Sequence, residues 1–348
     1  MQALVCREPG TLALERRDGP AAPPAGWALV DVAFVGICGT DYHIYEGKHP
    51  FLQYPRVMGH EISGTVREAG DGVALAVGTP VIVNPYLACG DCIACRRGKP
   101  NACTRIEVLG VHRDGGMCER ILVPGRNLYR AEGLSLRDAA TVEFLAIGAH
   151  AVRRSRLGAG DRALVIGAGP IGLGTAIFAG HAGATVTMLD TSAERLGFAA
   201  DTFGFGKIDG ARADVAATVR EVTAGDGFDV VFDATGNTAS MRSAFAHVAH
   251  GGALVLVSVV KDEITFSDPE FHKREMSLIG SRNALQDDFE AVAQAIGAGK
   301  VPLNKLVTHV TTLRDAARDL PRWTHERSGL IKAIVQVAEP DHGKDEVP

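Results

Sequence analysis

The chain has 348 residues, of which 46% are hydrophobic and 22% charged, enough for two domains with separate cores in a globular protein. A formal net charge of −5, from 36 Lys+Arg against 41 Asp+Glu, gives no support for nucleic acid as a partner. Residues 1–8 already carry charges and are followed by Pro9, so no secretory leader is expected. The longest apolar run, 164–180, is short and glycine-rich for a membrane span, and the expected compartment is the cytoplasm.

In the first third, residues 28–35, 64–67 and 80–83 read as β-strands, separated by Gly and Pro clusters at 19–26 and 70–72. No sustained helical period occurs up to about Ala149, so a β-rich domain is expected there.

Two groups of metal-type residues lie inside that domain. Seven cysteines without an export signal point to reduced thiols or metal ligands rather than disulfides. Four of them form the run Cys89-x2-Cys92-x2-Cys95-x7-Cys103, a spacing that can close around one tetrahedral Zn2+. An iron–sulfur cluster and free thiols are the rivals. The ferredoxin run, however, places its fourth Cys after three residues and follows it with Pro, whereas here the gap is seven and Thr104 follows. Four protein ligands leave no open position, so such a site would hold a lobe together. The second group is dispersed: Cys38-Gly39-Thr40-Asp41-Tyr42-His43, then Gly59-His60-Glu61, then Glu143. Each residue alone has an ordinary structural explanation, but together they make a mixed S/N/O set that can leave a metal position open for water or substrate.

Residues 157–161 form a turn that enters the next segment. A short apolar run then meets Gly167-Ala168-Gly169-Pro170-Ile171-Gly172 and passes into an Ala/Gly-rich helix. In this fingerprint Gly167 permits a tight turn, Gly169 lets backbone approach a pyrophosphate, and Gly172 allows close helix–strand packing; the free N–H groups of the helix start face the phosphates. A second strand, 185–189, ends in Asp190, about 20 residues on, where a carboxylate accepts from a ribose hydroxyl and repels a 2′-phosphate. NAD is therefore expected over NADP. Thr191-Ser192-Ala193-Glu194 reads as a capping box opening the following helix, and Arg195 is either near the adenine ribose or a solvated helix residue.

Strands at 228–233 and 253–259 alternate with helical stretches at 192–203 and 238–249, a pattern that predicts a parallel, doubly wound sheet. A helix at 287–298 and strands at 306–310 and 329–335 follow, and residues 339–348 read as a frayed tail.

The joint order of Cys38-Gly39-Thr40-Asp41-x-His43, Gly59-His60-Glu61, the four-cysteine run, Glu143 and the Gly167–Gly172 fingerprint resembles the zinc-dependent medium-chain dehydrogenases. Within them it is most similar to the polyol, threonine and sugar-acid (galactonate- or idonate-type) branch. The resemblance implies an α/β protein: a β-rich GroES-like catalytic domain, residues 1–149 and 284–348, and a doubly wound Rossmann domain, residues 150–283. It implies two Zn2+ per chain and NAD, with Cys38, His60 and Glu61 as catalytic-zinc ligands and Glu143 either ligating or holding the zinc-bound water. Thr40 matches the residue that takes the substrate proton, and His43 the one that passes it to solvent. Thr235 and Gly236, with Ala234, Asn237, Ser258 and Val259, match cofactor-contacting positions. It further implies homodimers or homotetramers, with residues 253–259 as a possible interface.

The implied reaction is hydride transfer from a secondary hydroxyl of a polyol or aldonate to NAD. L-Threonine 3-dehydrogenase is an alternative, as is a dinucleotide-binding sensor without turnover. His112, Arg113 and Arg282 are candidate partners for a substrate carboxylate, against a bland surface role, and Tyr45 and Phe51 either wall the pocket or pack the core. Two positions depart from the family: Phe144 follows Glu143 where proline is usual, leaving the Glu143 backbone position in question, and Cys118-Glu119-Arg120 introduces a thiol expected to be reactive.

Overall fold

A computed structural model describes residues 1–49, 52–212, 214–326 and 328–337. The chain divides into two compact units. One comprises Met1–Cys92, Thr104–Glu143 and the chain from Val307 on; the other comprises Ile93–Cys103 and Phe144–Leu306. Phe51 and the predicted tail from 339 lie outside the described residues.

The first unit is built on the long strand Trp27–Ile37, whose Val, Ala, Phe and Ile residues are almost all buried. It pairs antiparallel with Glu61–Ala69 on one side and Lys332–Gln336 on the other, in a seven-stranded sheet completed by Pro80–Val83, Leu128–Arg130, Arg120–Pro124 and Val307–Thr312. The register sets Gly36 opposite Glu61 on one neighbour and Ile334 on the other. This register brings the sequence-distant Lys332 to the end of the strand that leads into Cys38. A smaller sheet, Thr11–Arg16 with Gln2–Glu8 and Arg56–Val57, packs its Leu4 and Val57 into the same core.

The second unit contains six parallel strands in the order Gly206–Asp209, Thr185–Asp190, Arg162–Ile166, Phe228–Asp233, Val248–Leu256 and Ser277–Gly280. Strand order reverses between Arg162–Ile166 and Phe228–Asp233. Ligands of open α/β sheets bind beyond the carboxyl ends of strands at such a switch point.

The strands expected at 306–310 and 329–335 lie at Val307–Thr312 and Lys332–Gln336, and three further details differ from the sequence reading. The helix expected over 238–249 ends at Ala244, because Phe245–His247 tightens into a 3-10 turn and Val248 extends to pair with Phe228. The following strand is consequently Val248–Leu256 rather than 253–259, and it is internal, hydrogen-bonded on both sides; the outer strand on that side is Ser277–Gly280. The capping box at Thr191–Glu194 is displaced by one residue: the N-cap of helix Ala193–Phe203 is Ser192, whose hydroxyl accepts from the Arg195 N–H. No helix among the described residues is long and apolar enough to cross a membrane.

Candidate active site

Cys38 follows the central strand directly and is the N-cap of helix Gly39–Tyr45. Its N–H donates to Asp41 Oδ2 at 2.8 Å, while Asp41 Oδ1 accepts from the Gly59 N–H at 3.2 Å. The buried Asp41 carboxylate thus ties the Cys38 turn to the backbone just before His60. Gly59 has φ +91°, a conformation that L side chains rarely adopt, and a Cβ there would strike Val35 at 2.7 Å. These constraints bring one ligand atom each of Cys38, His60 and Glu61 within 4.8 Å of one another.

Burial disfavours a charged His60, yet the neighbouring Cys38, Asp41 and Glu143 outweigh it and hold its pKa well above the ordinary histidine value. Cation-favouring groups therefore crowd around this imidazole. His60 Nδ1 is buried without a hydrogen-bond partner. A clustered thiol, imidazole and carboxylate with an orphaned ring nitrogen suits a divalent cation such as zinc.

Two further side chains shape this pocket. Lys332, 2% exposed, donates to the Ile37 carbonyl at 2.9 Å and forms an ion pair with the fully buried Glu61. Glu143, in the first turn of helix Val142–Ser155, lies outside the tight three-ligand set; its Oε1 accepts a hydrogen bond from the Tyr86 hydroxyl. Burial and the nearby Glu61 push Glu143 up to about 7, against the opposing pull of His60, Tyr86 and Lys332. Thr40 stands beside the first ligand, its Oγ1 3.8 Å from Cys38 Sγ, and His43, one helical turn on, is exposed.

The thiols of Cys89, Cys92, Cys95 and Cys103 lie within 4.8 Å of one another in a single loop. Strands Tyr86–Leu87 and Glu107–Val108 pair across its base, and Asp91 and Arg105 form an ion pair within it. Four converging thiols fit a closed tetrahedral zinc.

In the second unit, Gly167 (φ +98°) makes the turn after strand Arg162–Ile166, and Gly172 packs so closely that a Cβ would meet Gly167 O at 1.7 Å. Gly169 differs: its φ is an ordinary −78° and no protein atom lies within 4 Å of a Cβ built there. Nothing in the protein itself demands glycine at 169, which suits a cradle kept open for an approaching pyrophosphate at the helix N-terminus. Pro170 and Ile171 then open helix Pro170–His181. Asp190 Oδ2 accepts from the Ala168 N–H at 2.6 Å and Oδ1 from the Ser192 N–H at 2.8 Å, so this carboxylate also braces the glycine turn. Across the switch point, Gly236 has φ +63°, and Thr235 donates through N–H and hydroxyl to the buried Asp233. Arg195 is half-buried on helix Ala193–Phe203 and makes no ion pair among the described residues.

The thiol expected to be reactive at Cys118 is instead buried, 3% exposed. Burial pushes it up to about 12, and its Sγ donates to the Gly115 and Arg120 carbonyls. Arg113 is paired with Glu107 at 2.6 Å, and His112 Nδ1 accepts from the Val108 N–H, so both are engaged within their own turn. Arg282 offers its carbonyl to Asn101. Tyr45 packs against the core of the first unit. Phe144 is buried and follows Glu143 in the first turn of helix Val142–Ser155.

Sequence reasoning missed Lys332, Tyr86 and Gly36 as parts of the metal pocket and gave Asp41, named within the Cys38 motif, no role of its own. A Cβ on Gly36 would meet Glu61 Oε2 at 1.9 Å, so this glycine makes room for the carboxylate. One signal was available: a lone lysine inside the apolar run 330–335.

Residues 24–133 match the alcohol dehydrogenase GroES-like domain, and residues 170–298 match the zinc-binding dehydrogenase domain. The chain is 41% identical to the L-galactonate-5-dehydrogenase of Escherichia coli K12, covering 96% of this chain and 98% of that enzyme. It is 34% identical to the 2-dehydro-3-deoxy-L-galactonate 5-dehydrogenase of Pseudoalteromonas atlantica, over 90% and 93% of the two chains. Among solved structures, RspB of E. coli CFT073 complexed with NADH superposes with a TM-score of 0.91 at 30% identity, over 97% and 99% of the two chains.

Proposed function

The chain belongs to the zinc-dependent medium-chain alcohol dehydrogenases, enzymes that act on CH–OH groups with a nicotinamide cofactor; from that premise we propose that it oxidises a secondary hydroxyl of a sugar acid with NAD. The observation that carries the substrate class is near full-length similarity, at 41% and 34% identity, to two enzymes whose names specify galactonate-type acids. Polyol oxidation is the second reading, favoured by 32% identity to the sorbitol dehydrogenase of Halalkalibacterium halodurans.

In this reading Cys38, His60 and Glu61 hold the catalytic zinc, with Glu143 beside them, and the four-cysteine loop holds a structural zinc. Zinc held there would supply Lewis acidity at the substrate hydroxyl, and NAD in its cradle would supply the hydride acceptor. Thr40, next to the Cys38 thiol, accepts the hydroxyl proton, and the exposed His43 on the same helix face releases it to solvent. Gly167, Gly169, Pro170, Ile171 and Gly172 form the phosphate cradle. Asp190, Arg195, Thr235 and Gly236 line the rest of the cofactor site, and the Asp190 carboxylate favours NAD over NADP. The catalytic domain comprises residues 1–149 and 284–348, the cofactor domain residues 150–283, and the enzyme works as a homodimer or homotetramer.

The test is reduction of NAD and of NADP by the zinc-loaded protein with L-galactonate, L-idonate, D-gulonate, sorbitol and L-threonine. Turnover of an aldonate with NAD is expected. Turnover of sorbitol alone would favour the polyol reading, and turnover of L-threonine alone would refute both.

A further inference from the structure

The Tyr86–Glu143 contact lies outside the ligand set and outside the proton path. Glu143 is buried, and a carboxylate withdrawn from water needs donors to hold it in one orientation. The Tyr86 hydroxyl supplies one at Oε1. The phenol is itself buried and is held at its backbone on both sides. Its N–H donates to Asn84 Oδ1 at 3.0 Å, its carbonyl accepts from Asn127 Nδ2 at 3.0 Å, and the residue pairs with Val108 across the base of the cysteine loop. Asn127 Nδ2 also donates to the Asn84 carbonyl at 2.9 Å, which closes the brace around this one residue.

We propose that Tyr86 is a positioning residue for the catalytic metal: its hydroxyl fixes the rotation of the Glu143 carboxylate and commits Oε1, so that Glu143 serves the metal through its other oxygen. The inference rests on the reading that Glu143 belongs to the catalytic zinc site. A group that orients a metal-site carboxylate acts on metal affinity as well as on turnover, typically by about 10- to 100-fold. The strand that carries Tyr86 also leads directly into Cys89, so the brace that orients Glu143 is continuous with the base of the four-thiol loop.

The experiment compares wild type, Tyr86→Phe, Glu143→Gln and the double variant as full-length protein. Two readouts are taken: competition of the more labile zinc against a chelator, and the visible spectrum with Co2+ in its place. Tyr86→Phe is expected to weaken the labile metal about tenfold and shift the cobalt bands, while the tighter zinc is unchanged. In the Glu143→Gln background, where a neutral amide oxygen still accepts from the hydroxyl but the metal-site charge is gone, its effect is expected to be clearly smaller. Wild-type affinity and spectrum in Tyr86→Phe, with both altered in Glu143→Gln, would overturn the role of Tyr86 alone. An unaltered Glu143→Gln would overturn the placement of Glu143 and the inference with it. Equal weakening by Tyr86→Phe in both backgrounds would mean general loosening and also overturn it. Should Tyr86→Phe not fold, Glu143→Asp draws the carboxylate back from the hydroxyl by one methylene and must shift the cobalt bands; an unshifted spectrum is contrary.

Discussion

Lys332 and Glu61 form an ion pair from which water is excluded on both sides, joining the last described strand to the strand that follows His60. A second bond, to the Ile37 carbonyl, places the ammonium directly behind the turn that presents Cys38. The pair neutralises one of the carboxylates crowded into the pocket, the others being Asp41 and Glu143. Removing one partner strands the other's charge in a dry interior, at a cost of about 3–5 kcal/mol. Lys332→Met is therefore expected to lower the unfolding free energy, extrapolated from urea titration, by an amount in that range. Lys332→Met/Glu61→Gln should recover part of the loss, and a single variant as stable as wild type would contradict the assignment.

Gly36→Ala tests the same pocket from the opposite strand. The new methyl would sit 1.9 Å from Glu61 Oε2, far inside contact distance, and the flanking strands leave the backbone little room to move. The variant is expected to keep the four-thiol zinc and lose most of the second, giving near one zinc per chain by elemental analysis. Two retained zincs would contradict the stated proximity.

Asp190→Ser removes a carboxylate that accepts once from the glycine turn, at Ala168, and once from its own turn, at Ser192, and that the proposed cofactor uses once. Hydrogen bonds to a charged group contribute about 1.5–3 kcal/mol, so the NAD/NADP ratio of kcat/KM is expected to fall by about tenfold or more. An unchanged ratio would exclude the ribose role and leave only bracing of the turn.

In the second unit, the buried Asp288 accepts from Arg153 Nε at 2.7 Å, from the Leu285 N–H at 2.8 Å, and pairs with His150 Nδ1 at 2.7 Å. Burial alone would raise its pKa, but the hydrogen bonds from His150 and Arg153 overcome this and hold it below the ordinary carboxylate value. A carboxylate depressed in the folded state adds stability at pH above its unfolded value, about 3.9, and loses it as pH falls through the folded value. Wild type should therefore exceed Asp288→Asn in thermal midpoint at pH 7, with the gap closing below about pH 4. A gap that is constant from pH 7 to 3 would assign the difference to packing.

Motifs that bear on local geometry were legible in the sequence. The third fingerprint glycine is required because Gly167 O occupies the space of its Cβ, and the four cysteines converge within a loop of fifteen residues. Cys38, His60 and Glu61 could be grouped because they follow from short motifs at strand ends. Lys332 could not, because it meets Glu61 only through the pairing of strands 271 residues apart in sequence. Tyr86 reads as an ordinary strand aromatic until Glu143 is placed at its hydroxyl. Element ends were misplaced where a local hydrogen bond decides them, as at Ser192, or where a strand begins early, as at Val248.

The central claim is best tested with two substrates that differ only at one end: L-galactonate, and galactitol, in which the carboxylate is a hydroxymethyl group. NADH formation by zinc-loaded protein is predicted with L-galactonate, at a kcat/KM above that for galactitol by about tenfold or more, as a hydrogen-bonded charge would give. It should cease when the labile zinc is removed and return when zinc is restored. Rapid oxidation of galactitol by the same zinc-loaded sample, with L-galactonate untouched, would contradict the account.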